Sequence, residues 1–357
     1  MFDVEFYMKV NDLATRLYKG EKLDRQYVFD KMEEYRSDRP VIYNIETTNA
    51  CNMKCQMCPR TTMMTRDVET IDRDTFISIA DQIEAFSDRT WNEWQSFVEK
   101  MYGISKDDMS ENHFFLYIIP KVLQLHGYGD PLLDENMAEY VRILTQKNIS
   151  SYFSCNPANI NVKRTIEMFE NGLNYIKYSI ETVDDVLHKQ IRGGASNFTN
   201  SYSKILELLE AKKKNGYGTT VIITMLNLNR PTQKEEYRLL KKAFEGLDVY
   251  IYLKSEDQQW YRKDYHGTCS VHWSEFCKHP WMSMTIKSNG EAAMCMEDYD
   301  NEIVLGDVGK ASLREIWNGE TYKQLRRDHF DLTPGIKCVE RCDMKLIGTF
   351  LGDRRGE

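Results

Sequence analysis

Six short apolar, β-branched runs alternate with helix-period segments through the middle of the chain, and this alternation leaves few folds open. The runs, predicted as strands, are Val41–Thr47, Val122–His126, Ser150–Ser154, Tyr175–Ile180, Thr219–Met225 and Asp248–Leu253. Between them lie amphipathic stretches such as DTFISIADQIEAF, where Phe76, Ile79, Ile83 and Phe86 share one face. Another, YSKILELLEAKKKNG, stops at a glycine suited to a helix C-terminus. Repeated strand–helix–strand units give parallel strands with right-handed crossovers. The expectation is an α/β chain: a partial (β/α)6 TIM-like barrel over residues 41–256, preceded by a helical extension at 1–40. In such folds chemistry sits in the loops at the C-terminal ends of the strands. An acidic, Trp-bearing insertion at about 87–118 breaks the rhythm, and reads equally as surface decoration or as a substrate lid or partner surface.

After residue 256 the pattern changes. MSMTIKSNGEAAMC reads as a hairpin turning at Asn289-Gly290, and SLREIWNGETYKQLRRDHF as a helix. Residues 257–357 are therefore expected to form a small second domain, β-hairpin plus helix, organised around a metal. A net charge of −8 gives no basic face for a nucleic-acid partner. The start MFDVEFYMKV lacks the basic n-region of a signal peptide, and the most apolar run, FFLYIIPKVL, is too short to span a bilayer. The expected location is cytoplasmic, with no membrane partner.

Nine cysteines in a reducing compartment point to metal ligands before disulfides. Cys51, Cys55 and Cys58 share the loop after the first predicted strand, at x3 and x2 spacing. Zinc would want a fourth ligand close by, whereas three thiolates on a 4Fe–4S cluster leave one iron open. A second group, Cys277, Cys295, Cys338 and Cys342, supplies four thiolates, enough for a saturated 4Fe–4S cluster or for zinc. Cys269 could replace Cys277 or be a plain thiol, and Cys155 reads as a packed one.

The Cys51-x3-Cys55-x2-Cys58 loop, after the first strand of such a barrel, resembles the radical S-adenosylmethionine (SAM) superfamily, with Met57 where that family often has an aromatic residue. The resemblance implies that the open iron binds SAM and that its reductive cleavage yields a 5′-deoxyadenosyl radical, which abstracts hydrogen from substrate. LHGYGDPLL resembles the family's Gly-Gly-Glu-Pro element, placing Gly127, Tyr128, Gly129 and Asp130 near the methionine amino group. By the same resemblance Ser179 and Glu181 would face the ribose, Arg192 would pair with the cosubstrate carboxylate, and Asn156 and Asn227 would stand on the same rim.

Cys277, Gly290, Cys295 and Cys338-x3-Cys342 resemble the SPASM/twitch auxiliary domain, which implies one auxiliary 4Fe–4S cluster. Its shortened form resembles the branch that oxidises a secondary alcohol of a sugar or aminocyclitol, with the auxiliary cluster as electron acceptor. Glu297 and Asp298 are then candidates for the base that takes the hydroxyl proton, against the plainer reading of a solvated acidic turn. His126 and Tyr128 could contact substrate. Two other functions stay open. One is modification of a peptide or protein by thioether formation, epimerisation or side-chain oxidation, although residues 1–40 are few for a leader-binding domain. The other is a non-enzymatic iron–sulfur carrier or scaffold. A flavodoxin- or ferredoxin-type reductant is the implied partner, with AKKKNG or Arg326-Arg327 as a local positive patch.

Overall fold

The computed structural model describes residues 1–106, 108–194, 196–254 and 277–336. All six predicted strands are present: β1 (Ile42–Ile45), β2 (Leu123–Gln124), β3 (Ser151–Cys155), β4 (Tyr175–Ser179), β5 (Thr220–Leu226) and β6 (Tyr250–Lys254). They pair in parallel, each with its neighbour in sequence. Beyond β1 the same sheet continues with β7 (Met284–Ile286), parallel to β1, and then antiparallel β8 (Glu291–Ala293) and β9 (Val304–Asp307). The order is β6-β5-β4-β3-β2-β1-β7-β8-β9, so the barrel is open and its edge is extended by the C-terminal hairpin.

Side-chain alternation sorts the two faces. Phe153, Ile176, Tyr178, Val221, Ile223 and Met225 point outward into the core made with the flanking helices. The register puts Tyr152 beside Tyr175, Lys177 beside Ile222 and Thr224 beside Tyr252 on the inner face. The outer helices include Met137–Gln146, Val162–Glu170, Phe198–Asn215 and Gln233–Ala243.

Four elements depart from expectation. The helix predicted through Phe86 runs only Arg73–Ala80, because the chain must turn before Ser87 caps a new helix, Asp88–Tyr102. That helix belongs to the insertion, which is not surface decoration. Trp94 is fully buried, donates to Leu116 O at 2.7 Å and meets Phe2 and Tyr7 edge-on. A π-helical turn, Phe114–Ile118, then sets Phe114 against Tyr152 and Tyr252 of the inner face. The insertion thus joins the N-terminal helices, Val4–Tyr18 and Arg25–Tyr35, in a second apolar core.

The C-terminal helix is two helices, Leu313–Asn318 and Glu320–Phe330, broken where Gly319 takes extended backbone (ψ 160°). β9 was not anticipated, because four residues with one buried apolar side chain give little pattern. The hairpin turn lies at Asn289-Gly290 as expected, Gly290 adopting φ +84°. The second unit's described strands therefore complete the barrel's sheet and form no separate one. Cys269, Cys338 and Cys342 lie outside the described residues. Among the described residues no helix is long and apolar enough to cross a membrane.

Candidate active site

The three-cysteine loop leaves β1 and is held from two sides. On one side it rests against the end of the helix Asp185–Arg192. Lys54 N–H donates to Arg192 O at 3.1 Å, Gln56 N–H to Ile191 O at 3.0 Å, and the Arg192 guanidinium reaches Cys55 Sγ at 3.8 Å. Gly193 follows at φ +65°, and a Cβ there would stand 2.9 Å from Lys54 Cβ, so the loop seats only over glycine. Internally, Cys58 N–H donates to Cys55 O at 3.2 Å, and Cys58 precedes the short helix Pro59–Thr62, with Pro59 at its first position. Met57 is half-buried between the second and third cysteines.

On the other side stands the Gly127–Asp130 loop after β2. Asp130 N–H donates to Ala50 O at 2.8 Å, and a Cβ on Gly129 would lie 2.1 Å from Thr48 O. The Asp130 carboxylate is buried and turned into the protein. It accepts from Asn156 N–H at 3.0 Å, Asn159 Nδ2 at 2.8 Å and Leu132 N–H at 3.1 Å. Burial nevertheless pushes its pKa above the ordinary range. Asn156 in turn caps the next turn through Ala158 N–H and lies 3.4 Å from Ser196 Oγ. Ser179 is half-buried beside Thr224, and the Asn227 side chain accepts from Asn229 N–H. The predicted cosubstrate residues after β1 to β5 thus share one rim.

Arg192 and Glu181 form a largely buried ion pair, and Glu181 also accepts from Leu226 N–H at 3.0 Å. Neither is at the surface. Burial alone would pull the Arg192 pKa down, but Glu181 and the Cys55 sulfur raise it above its ordinary value, so its charge is fixed beside the cysteine loop. Burial pushes the Cys58 thiol up to about 11 and raises Cys51 as well, so ligation must drive their deprotonation.

One central residue was missed from sequence: Glu46, fully buried just beyond β1. Its carboxylate accepts from Tyr128 N–H at 2.9 Å, from Arg66 Nη2 at 2.8 and 3.0 Å, and from Ser288 Oγ at 3.2 Å. Burial pulls its pKa up, but Lys287, Arg66 and the Tyr128 amide outweigh that and hold it below the usual value. Lys287, itself buried, donates to Asp298 O at 2.6 Å and lies 5.8 Å from the Tyr128 ring. These contacts tie the β1 and β2 loops to the C-terminal hairpin. A charged residue two positions after Asn44, still in strand alternation, was the available signal.

The proposed bases separate here. Asp298 is buried and accepts from Glu302 and Ile303 N–H, both at 2.9 Å, so its carboxylate shapes its own turn. Glu297 is half-buried and charge-coupled to Tyr43 and Cys295. Neither expected reductant patch sits at the cysteine loop. Lys212 pairs with Asp248 at the end of a helix that leads into the start of β5, on the opposite rim. Arg326 is buried against Trp317 and Glu33.

Among the described residues no three Cys, His, Asp or Glu converge on a single-ion site. Thiolates are the ligands of a 4Fe–4S cluster, and this loop supplies three of them within eight residues. Cys51, Cys55 and Cys58 interact electrostatically within this one loop, with Arg192 as counter-charge. Cys277 and Cys295 likewise interact, one from each side of the hairpin.

Comparison with known proteins agrees with this geometry. Residues 45–240 match the radical SAM superfamily model, and residues 277–343, a span holding Cys277, Cys295, Cys338 and Cys342, match the SPASM iron–sulfur cluster-binding domain. No curated protein matches the chain by sequence. Among solved structures, SuiB of Streptococcus suis is 12% identical, with 90% of this chain and 78% of that one covered at a TM-score of 0.51. BtrN, solved with AdoMet and 2-DOIA, is 14% identical, with 82% and 89% covered at a TM-score of 0.44. With an open parallel barrel, a three-cysteine loop after its first strand and a family match over more than half its length, the chain belongs to the radical SAM superfamily and carries a SPASM-type iron–sulfur domain.

Proposed function

We propose that the enzyme oxidises a hydroxyl-bearing carbon of a polar small molecule, in the manner of a dehydrogenase. The supporting observation is the parallel pairing of β7 with β1. It sets the hairpin that begins after Cys277 and ends before Cys295 against the strand that bears the first cysteine loop. When bound, SAM and the first cluster supply the 5′-deoxyadenosyl radical, and the auxiliary cluster supplies the acceptor for one electron. The chain's own work is to hold the carbinol C–H toward the rim and to take the hydroxyl proton. Glu297 is the base in this reading, because the Asp298 carboxylate is already spent on backbone amides. Gly127–Asp130, Asn156, Ser179, Glu181, Arg192 and Asn227 shape the cosubstrate side of the rim.

The test is anaerobic turnover with a reduced flavodoxin or ferredoxin and carbinol-deuterated sugars and aminocyclitols. Deuterium should appear in 5′-deoxyadenosine together with a ketone product, and Glu297→Gln should slow ketone formation roughly a hundredfold or more. Deuterium transfer from labelled peptides alone would move the assignment to peptide modification.

A further inference from the structure

We infer that the buried ammonium of Lys287 is the fixed charge that raises the electron affinity of the auxiliary iron–sulfur site, fitting it to take the electron that leaves the substrate. The inference deepens the proposed oxidation, on which it rests, by naming the residue that favours the acceptor. Lys287 touches no reacting atom and acts through the neighbourhood of Cys295.

Lys287 directly follows β7, and the hairpin turn fixes its backbone: its N–H donates to Glu291 O and its carbonyl accepts from Gly290 N–H, both at 2.9 Å. The side chain is buried and reaches into the loop that follows Cys295. Nζ donates to Asp298 O at 2.6 Å and to Met296 O at 3.4 Å, and Met296 is the residue bonded to Cys295. The same loop is pinned from the barrel side. Arg66 Nε donates to Tyr299 O at 2.7 Å, and Thr65 N–H donates to the Asp300 carboxylate at 2.6 Å. The loop is thus held at Met296, Asp298, Tyr299 and Asp300, and the lysine keeps its place beside it.

Taking up an electron adds negative charge beside thiolate ligands, so a nearby cation favours the reduced form and raises the potential. The effect is largest where water cannot screen it, and Lys287 is buried. Burial raises the Cys295 thiol well above its usual value, the Glu297 carboxylate and Cys277 add to this, and Lys287 opposes them. Burial also pulls the Lys287 pKa down, while Glu46 is the main influence that holds it up. Glu46, kept ionised by Lys287 and Arg66, favours the charged lysine in return. Lys287 and Glu297 act on Cys295 with opposite signs, which gives the inference a test that loss of packing cannot imitate.

The holoenzyme, anaerobically reconstituted and without substrate, is titrated with reductant and followed by low-temperature EPR. The auxiliary signal is the one that SAM leaves unchanged in a companion sample. Lys287→Met and Lys287→Gln should each shift its reduction equilibrium about tenfold toward the oxidised form, a midpoint lower by about 59 mV for one electron. Glu297→Gln should shift it the other way. Glutamine can still donate to the Asp298 carbonyl, so agreement between the two Lys287 variants separates charge from hydrogen bonding. Iron content reports whether each variant keeps its auxiliary site. A midpoint unchanged in an iron-replete Lys287 variant overturns the inference, and so does a fall in all three variants, which would mark general loosening. Loss of the auxiliary iron in both Lys287 variants would make the residue a scaffold and also overturns it. No substrate turns over here, so failure leaves the deuterium experiment free to judge the oxidation itself.

Discussion

Arg66→Met should lower the stability of the folded protein by about 3–5 kcal/mol at neutral pH, the usual cost of leaving one partner of a buried ion pair uncompensated. Glu46 has no exposure, and Arg66 supplies two of its contacts. Lys287 and Ser288 remain nearby, so the loss should fall toward the lower end of that range. The urea midpoint of the reconstituted protein measures it. The pH dependence has a definite sign. Because the folded pKa of Glu46 is depressed, its contribution is present above the unfolded value and is lost as pH falls through the folded one. The gap between wild type and variant should therefore be full at neutral pH and shrink below about pH 4, near the ordinary glutamate value. A gap that widened on acidification would mean that Arg66 is not acting on an ionised Glu46.

Arg192→Met should damage both stability and cosubstrate binding. It strands the buried Glu181 carboxylate, a loss of about 3–5 kcal/mol by the same reasoning. It also removes the one cation that reaches Cys55 Sγ among the described contacts. The expected result is a lower urea midpoint together with SAM affinity at least about tenfold weaker, a factor that corresponds to one charge-assisted hydrogen bond. Arg192→Lys should recover part of the stability but not the full affinity, because an ammonium cannot span Glu181 and the sulfur as a planar guanidinium does. SAM binding unchanged in the Met variant would restrict Arg192 to structural support.

Much of this architecture is legible in the chain because it rests on local patterns. Short apolar, β-branched runs locate β1 and β3 to β6 to within about two residues, and Asn289-Gly290 marks its own turn. The cysteine spacing identifies the loop because three ligands within eight residues have little other use. What sequence does not disclose are contacts across long separations. Glu46 becomes central only once residues 66, 128 and 288 close around it. The adjacent Glu297 and Asp298 cannot be told apart until Asp298 is seen turned onto the amides of 302 and 303. The basic run at Lys212–Lys214 suggests a docking patch until its helix is placed on the rim opposite the cysteine loop. The insertion reads equally as surface decoration or as a lid or partner surface because its apolar stripe finds its partner in residues 1–35, far away in sequence.

The central claim is that one loop holds an open-iron cluster for SAM and that the C-terminal domain holds a second cluster. Iron content and low-temperature EPR on anaerobically reconstituted protein, with and without SAM, test it most directly when run beside the Cys51/Cys55/Cys58→Ala variant. The account predicts about eight irons per chain falling to about four in the variant, with a SAM-dependent spectral shift in the wild type only. About four irons that vanish entirely in the variant would leave the C-terminal cysteines without a cluster and remove the electron acceptor on which the proposed oxidation depends.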